Sequence, residues 1–294
     1  MSKRKEQDMR DNKPKGKTTG RNPNYKKPSY AKSPKPERRK DDGRGQASED
    51  SENMVFGRNS VMEAIRSGRT VDKLFVAKGD REGSIVRVIA MAKENGITVV
   101  EAEKAKLDSM TRSASHQGVV AITTEFSYCE PEDILEYAKE KEEKPFIIVI
   151  DGINDPRNLG AIIRTANAAG VHGIILPKRG ACGLTATVYK TAAGACEYMK
   201  IARVVNIAET IEYLKEQNVW IYGTDGAAEN DIYGTDLRGA VALVMGDEGT
   251  GLSRLVRERC DHLIKIPMAG EITSLNISVA AAVAMYEKVR QDRA

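Results

Sequence analysis

Six short apolar runs alternate with helical segments from Phe146 onward, and this alternation restricts the fold more than any other feature of the chain. The runs are FIIVID (146–151), GIILP (173–177), KIARVV (200–205), VWIYGTD (219–225), VALVMG (241–246) and LIKIPM (263–268). Apolar strands separated by helices predict an α/β fold with a parallel sheet, because strands that are apolar throughout are buried on both faces. Ligands of such sheets bind beyond the carboxyl ends of the strands, so the loops after these runs are the candidate sites.

A smaller α/β unit is predicted ahead of this sheet, over residues 54–125. A turn at Gly57–Asn59 precedes a helix in which Val61, Ala64 and Ile65 recur at helical spacing. The unit continues with predicted strands at 73–78 and 97–102, a helix at 85–96, and a turn followed by a strand within 116–124. Residues 126–145 connect it to the sheet, and the charged stretch 130–145 predicts a short linking helix on the surface.

Residues 1–52 form a segment of different composition. The first 50 residues contain no Val, Ile, Leu, Phe or Trp, and they hold 16 Lys and Arg against 8 Asp and Glu. Such a segment buries too little apolar area to offset the entropy of ordering, so a disordered basic tail is predicted. Two interpretations stay open: an arm that binds nucleic-acid phosphates, with Tyr25 and Tyr30 stacking on bases, or a solubilising tail.

Several kinds of site and location are excluded by what the sequence lacks. The four cysteines have no CxxC spacing, and His116, His172 and His262 stand in separate contexts, so neither a metal site nor a disulfide framework is expected. No GxSxG or GxxxxGK[ST] motif occurs. No apolar run approaches the roughly 18 residues of a membrane span. These absences predict a reduced, cytoplasmic protein that uses neither a metal nor a catalytic triad.

The first candidate loop follows FIIVID and continues into a helix that carries a charged residue, Arg164. In residues 154–170, Leu159, Ile162, Ile163, Ala166 and Ala169 fall on one helical face, which we expect to pack on the sheet. Arg164 lies on another side, beside small residues such as Gly160, where a ligand would have room. The alternatives are an ordinary surface arginine or an ion pair with Asp151 or Asp155.

Two further candidate loops follow later strands. MGDEGTGLS (245–253) is rich in glycine and carries Glu248, but it lacks the dinucleotide-binding fingerprint. The third stretch, 266–289, has Ser274 and Asn276 in a polar loop before a helix that is apolar on nearly every side. Such a helix is expected to be buried in a core or in a subunit interface. Asn276 and Ser278 are most simply N-caps of that helix. The alternative is that Ser274 and Asn276 hydrogen-bond a ligand or hold Arg164 in place.

The three loops together resemble a known family. NDPRNLGAIIRTANAAG (154–170), LVMGDEGTGLS (243–253) and IPMAGEITSLNISVAAAVA (266–284) are similar to the three signature motifs of the SpoU (TrmH-type) RNA ribose 2′-O-methyltransferases, of the SPOUT class. The resemblance covers residues 146–294. Residues 54–125, through VFGRNSVMEAI, KLFVAK and HQG, further resemble the small RNA substrate-binding domain of the RlmB-like subgroup, which modifies a guanosine of 23S ribosomal RNA.

The resemblance implies a trefoil-knotted domain, a homodimer, and S-adenosylmethionine as the methyl donor. It gives Arg164 the central catalytic role, with Asn158, Glu248, Ser274 and Asn276 as the other polar active-site residues. The implied cofactor-binding positions are Met245, Gly246, Gly249, Ile266, Met268 and Leu275. The implied substrate is 23S ribosomal RNA or its precursor particle; a transfer RNA methyltransferase and a non-catalytic RNA-binding assembly factor are the alternatives. Asp247 stands where relatives carry Ser or Ala, and its side chain is expected to point to solvent.

The chemistry that the resemblance implies is consistent with the missing metal motifs. A sulfonium methyl group is already activated, so its transfer needs alignment of the reacting atoms more than a metal or a covalent relay. Arg164 is expected to hold a phosphate and orient the ribose, since a guanidinium is a poor base; general-base action by Arg164 is the alternative.

Overall fold

The computed structural model describes residues 53–79, 83–112 and 114–294, which belong to a single compact unit. The tail predicted at 1–52 lies outside the described residues. The small domain contains seven elements: β1 (Met54–Phe56), α1 (Arg58–Arg66), β2 (Val71–Ala77), α2 (Ser84–Glu94), β3 (Thr98–Ala102), α3 (Lys104–Met110) and β4 (Val119–Thr123). Its sheet has the order β1-β4-β2-β3, with β4 antiparallel to both neighbours and β2 parallel to β3.

The helix α1 begins earlier than its sequence pattern predicts. Arg58 and Asn59 belong to its first turn, and only Gly57, with φ +92°, lies outside it. Arg58 N donates to Gln117 Oε1 at 3.0 Å. A side chain 59 residues away thus satisfies an N–H that a local cap would otherwise bind, and this distant partner is why the local turn prediction was wrong.

The connecting segment contains a helix that packs firmly on the large sheet. This helix, α4, spans Pro131–Glu140 and starts with a capping box formed by Glu130 and Asp133. Its Ile134 is fully buried. A Cβ added to Gly173 would lie 2.6 Å from Ile134 Cδ1, so the helix and the strand that contains Gly173 touch closely. The prediction of a linking helix at the surface is therefore confirmed, and the structure adds that its inner face, through Pro131, Ile134 and Ala138, covers part of the sheet.

The large domain is built on seven strands that pair only in parallel. They are β5 (Phe146–Ile150), β6 (Gly173–Pro177), β7 (Lys200–Val204), β8 (Trp220–Thr224), β9 (Asn230–Asp231), β10 (Val241–Met245) and β11 (His262–Lys265). The order is β7-β6-β5-β10-β8-β11-β9. All six predicted runs form strands, and β6 has the predicted bounds. The short edge strand β9 is exposed and polar, so no apolar run announced it.

Helices cover both faces of this sheet, as predicted. They are α5 (Pro156–Ala168), α6 (Ala186–Ala192), α7 (Ile207–Glu216), α8 (Arg254–Arg259) and α9 (Ile277–Asp292). Along β5, Ile148 and Ile150 join the apolar cluster under α5, α6 and α9, whereas Ile147 and Val149 join the cluster under α4, α7 and α8. This is the alternation of a strand buried on both sides. The trefoil knot implied by the resemblance stays a prediction.

The helix α9 is buried on one side only within a single chain. Ala281, Ala284 and Met285 are fully buried, but Val279 is 48% exposed and Tyr286 is 49% exposed. The expectation of burial on all sides is therefore not met by this chain's own core. In the described part of the chain, no helix combines the length and the apolarity that crossing a membrane requires.

Candidate active site at the carboxyl ends of the strands

The three candidate loops meet at the carboxyl ends of β5, β10 and β11. Between the last two lies a cleft of about 190 Å³. Five of the six expected cofactor-binding residues line this cleft: Met245, Gly246, Ile266, Met268 and Leu275. Two of the expected polar residues, Glu248 and Ser274, also line it.

The loop after β10 is shaped by its own backbone contacts. A Cβ added to Gly246 would lie 2.3 Å from the carbonyl carbon of Gly251, so this glycine permits the loop to fold back on itself. Gly249, the sixth expected cofactor position, is not among the residues that line the cleft; its N–H donates to Asp247 Oδ1 at 2.9 Å. Asp247 Oδ1 also accepts from Thr250 N at 3.3 Å. Asp247 therefore stabilises the loop, and the expectation that its side chain points to solvent is wrong.

Three of the expected polar residues form one hydrogen-bonded cluster. Glu248 Oε1 accepts from Asn158 Nδ2 at 2.8 Å, from Asn276 Nδ2 at 2.8 Å and from Ile277 N at 3.3 Å. Asn276 Nδ2 also donates to Asn158 Oδ1 at 3.0 Å. The cluster joins the start of α5, the loop after β10 and the start of α9. Because Glu248 Oε1 accepts three N–H groups, the carboxylate holds both amides in one orientation.

Asn276 caps the helix α9 and belongs to this cluster at the same time. Its Oδ1 accepts from Ser278 N at 2.9 Å and from Ser278 Oγ at 2.6 Å. The N-cap interpretation of Asn276 is thus confirmed, and the cap orients the amide so that Nδ2 faces Glu248. Ser278 lies inside the helix and donates to the cap. Ser274 lines the cleft beside the cluster.

Arg164 stands apart from the cluster, on an exposed part of α5. It follows Asn158 by six residues, or about 9 Å along the helix axis. Neither expected acid pairs with it: Asp155 Oδ1 caps Arg157 N at 2.7 Å, and Asp151 Oδ2 accepts from Ser253 N. The ion-pair alternative is therefore wrong. No hydrogen bond or salt bridge to the Arg164 side chain exists among the residues that the structure describes.

Gly160 is small for a reason that sequence analysis did not anticipate. A Cβ added there would lie 2.6 Å from Thr191 Cβ and 2.8 Å from Val188 O, so the helix α6 occupies the space above it. The expectation that Gly160 leaves room for a nucleotide is wrong; it permits close contact of two helices. The other face of α5 is as predicted, with Leu159 and Ile163 among its fully buried residues.

The loop after β8 also lines the cleft, and sequence analysis missed it. Thr224, Asp225 and Gly226 form this wall. Thr224 Oγ1 donates to Val244 O at 3.0 Å, and Asp225 pairs with Arg257 at 2.7 Å. The available signal was position: Thr224 and Asp225 end the run VWIYGTD and Gly226 follows it, at the end of a predicted parallel strand.

The cysteine thiols are poorly suited to nucleophilic chemistry. Burial raises the pKa of Cys129 to about 11 and that of Cys260 to about 12, and it raises the pKa of Cys182 and Cys196 as well. Thiolates are therefore scarce at neutral pH. Across residues 53–79, 83–112 and 114–294, no group of three or more His, Cys, Asp or Glu side chains is arranged to hold a metal ion.

Fold and site together define an α/β protein with a parallel sheet, whose polar cluster and adjoining cleft lie at the carboxyl ends of the central strands. The chain matches the model of the SpoU rRNA Methylase family over residues 145–286 and the model for RNA 2′-O ribose methyltransferase substrate binding over residues 54–129. It is 48% identical to the putative TrmH family tRNA/rRNA methyltransferase YacO of Bacillus subtilis, over 81% of this chain and 95% of that protein. A putative TrmH family tRNA/rRNA methyltransferase of Staphylococcus haemolyticus is 41% identical over the same shares.

Among solved structures, an AdoMet-bound rRNA methyltransferase from Sinorhizobium meliloti superposes with a TM-score of 0.68 at 28% identity. The superposition covers 81% of this chain and 86% of that one. The chain belongs to the SpoU (TrmH) family of RNA methyltransferases.

Proposed function

We propose that this protein transfers a methyl group from S-adenosylmethionine to the ribose 2′-hydroxyl of a guanosine in 23S ribosomal RNA. Its class, an S-adenosylmethionine-dependent RNA methyltransferase, follows from the family; the nucleotide and the RNA are the proposal. The single observation that carries the proposed chemistry is the Asn158–Glu248–Asn276 cluster beside the cleft, because it preorganises polar groups where three strand ends meet. The match of residues 54–129 to the model for RNA 2′-O ribose methyltransferase substrate binding supports an RNA substrate.

The cleft fits the cofactor by the chemistry of its lining. Ile264, Ile266 and Leu275 offer an apolar surface suited to an adenine ring, and Asp225 and Glu248 offer acceptors for hydroxyl and ammonium groups. When bound, S-adenosylmethionine supplies an electrophilic methyl group on a sulfonium centre.

The chain's own residues bind and orient the RNA. Arg164 is exposed and lacks an acidic partner within the described residues, so its guanidinium is available to a phosphate of the RNA, which it can hold with two parallel hydrogen bonds. The cluster fixes Asn158 one to two helical turns before Arg164. We expect Asn158 and Ser274 to contact the ribose. Placement of the 2′-oxygen in line with the methyl group is the main contribution to rate.

A transfer RNA substrate is the second candidate, because the relatives' names give tRNA and rRNA together. Ribosomal RNA is the first candidate because residues 54–125 resemble the small domain of the RlmB-like subgroup. A non-catalytic assembly factor is disfavoured by the intact cluster, which such a protein would have no need to retain.

A homodimer in the cytoplasm is part of the proposal. Val279 and Tyr286 are seven residues apart on α9 and therefore share one side, and both are about half exposed. A second copy would bury this apolar side.

We also propose that the tail contributes affinity for RNA phosphates. Deletion of residues 1–50 should weaken RNA binding and reduce its salt dependence, and an unchanged salt slope would assign the tail no role in binding.

The test uses S-adenosylmethionine with a deuterated methyl group, ribosomal RNA that lacks ribose methylation, and nucleoside mass spectrometry. Labelled 2′-O-methylguanosine from ribosomal RNA is the expected product. Label on transfer RNA alone would favour the second candidate. Label on a precursor particle but not on naked RNA would identify the particle as the substrate. If the protein binds the cofactor but no RNA or particle tested carries the label, the proposal is contradicted.

A further inference from the structure

Arg69 lies where the small domain meets the large one, and its side chain is only 7% exposed. Its Nη1 donates at 3.0 Å to Glu197 Oε1. Glu197 lies in a turn of 3-10 helix (Ala195–Tyr198), and its side chain is 6% exposed. Its Nε and Nη2 both donate to Thr124 O, at 3.2 and 2.6 Å. Its guanidinium lies 4.6 Å from the centre of the Tyr189 ring. One buried side chain therefore joins the small domain, the chain that leaves it, and the large domain.

The chain between the domains is held along its length. Thr124 is the residue at which the chain leaves β4, and Arg69 holds its carbonyl. Farther on, Tyr128 OH accepts from Leu184 N at 3.1 Å, and Cys129 N donates to Ile201 O at 3.0 Å. This connection is attached to the large domain before α4 begins.

The surfaces on either side of Arg69 fit closely. Ser60 Oγ donates to Tyr189 O at 3.1 Å, and Tyr198 OH donates to Glu63 Oε2 at 2.7 Å. A Cβ added to Gly194 would lie 2.4 Å from Glu63 Cβ. The apolar core under α5 and α6 also continues into the small domain. Polar and apolar contacts together fix one orientation of the two domains.

This contact reaches the helix that carries the site. Tyr189 belongs to α6, and α6 packs on α5 through Thr191 and Gly160. The helix α5 in turn presents Asn158 and Arg164. A rigid path of packed helices thus connects α1 of the small domain with the proposed catalytic residues.

We propose that Arg69 is a positioning residue, which fixes the small domain on the large one so that RNA bound by the first presents its ribose to the second at a set distance. The inference rests on the proposed function. A rigid connection between two binding sites raises the effective concentration of the second site for RNA already bound at the first, and a loose connection lowers it. Removal of Arg69 or Glu197 also leaves the charge of the other residue buried and unpaired, which favours separation of the small domain from the large one.

The test compares full-length Arg69→Ala, Arg69→Lys and Glu197→Gln with Arg259→Ala. Arg259 is the control, because it also pairs with a glutamate, Glu212, but at 52% side-chain exposure and on the face of the large sheet opposite α5 and α6. Three quantities are measured for each variant: the Kd of S-adenosylmethionine, kcat/KM for a structured ribosomal RNA fragment, and amide hydrogen exchange in residues 124–129. Arg69→Lys keeps the charge but loses the two-fold hydrogen bond to Thr124 O.

We expect the Arg69 and Glu197 variants to lower kcat/KM for the RNA by about tenfold or more, to leave the Kd of S-adenosylmethionine unchanged, and to accelerate exchange in 124–129. Arg259→Ala should leave all three unchanged. Faster exchange with unchanged kcat/KM would overturn the proposal. A loss of cofactor binding in parallel with activity would also overturn it, because that result indicates general destabilisation. If Arg69→Ala fails to fold, Glu197→Gln, which keeps the side-chain shape, decides. A wild type that methylates no RNA would refute the proposed function instead, and hydrogen exchange would still report whether Arg69 fixes the domains.

Discussion

Replacement of Asn276 by Asp separates two tasks of one amide. Asn276 Oδ1 accepts from Ser278 N at 2.9 Å and caps α9, while Nδ2 donates to Glu248 Oε1 at 2.8 Å and to Asn158 Oδ1 at 3.0 Å. Asp and Asn are similarly good N-caps, so the variant retains the cap. Where Nδ2 donated, however, a carboxylate oxygen now faces the acceptors on Glu248 and Asn158. The substitution therefore opposes the cluster without removing the helix start.

The size of the effect follows from the geometry. A hydrogen bond to a charged acceptor contributes about 1.5–3 kcal/mol, and exposure of the side chains reduces this contribution toward about 1 kcal/mol. Two like charges 4 Å apart repel by about 1 kcal/mol in water and by more near a protein surface. Together these terms oppose the cluster by about 2 kcal/mol, which corresponds to a fall of about 30-fold in kcat/KM if the cluster is needed in the transition state.

Methyl transfer to ribosomal RNA and thermal unfolding are measured side by side. Asn276→Asp should lose activity about 30-fold while its Tm stays close to that of the wild type. Asn276→Ala should lose activity and also the cap, which contributes about 1 kcal/mol, or roughly 2–4 °C in Tm. Wild-type turnover by Asn276→Asp would refute a catalytic role for the cluster. A Tm as low as that of Asn276→Ala would refute the separation of the two tasks.

Three other substitutions test separate features. Arg164→Ala should retain cofactor binding but lose at least about 100-fold in methyl transfer, with the exposed Arg157→Ala near wild type; equal activity of the two would contradict a phosphate contact. Gly246→Ala places a Cβ against the loop backbone and should weaken binding of S-adenosylmethionine measured by calorimetry, whereas Gly270→Ala, where a Cβ meets nothing within 4 Å, should not. Burial lowers the pKa of His172 from its ordinary 6.5, so the unfolded chain binds a proton where the folded chain does not. Stability to urea should therefore fall as pH drops below about 6.5, and His172→Asn should flatten that dependence; an identical slope would contradict burial of the neutral ring.

Much of the sheet could be predicted because burial determines its composition. The strand β6 is apolar from Gly173 to Pro177 and is buried at every position, so its bounds coincide with the apolar run. The strand β9 consists of exposed Asn230 and Asp231 and pairs only at the sheet edge, so nothing in its composition marks it. The sequence reports strands whose formation depends on burial, and it is silent on strands formed by backbone pairing alone.

The contacts between distant residues could not be predicted from local pattern. Asn158 and Glu248 are 90 residues apart, and Asn158 and Asn276 are 118 apart, yet all three share hydrogen bonds. The position of each at a strand end or helix start was predictable, but their distances were not. Gly160 shows the opposite error: a local pattern of small residues suggested space for a ligand, and a neighbouring helix, α6, fills it.

The site therefore has two parts that differ in how they are held. Asn158, Glu248 and Asn276 are hydrogen-bonded to one another before any ligand arrives, so their arrangement costs little further entropy on binding. Arg164 has no such restraint within the described residues, and its long side chain must lose rotamer freedom when it meets a phosphate. That cost is offset only when the RNA is already held near the site. A small domain fixed at one distance from α5 would hold the RNA near Arg164. The proposed role of Arg69 in fixing that domain therefore supports the proposed phosphate contact of Arg164.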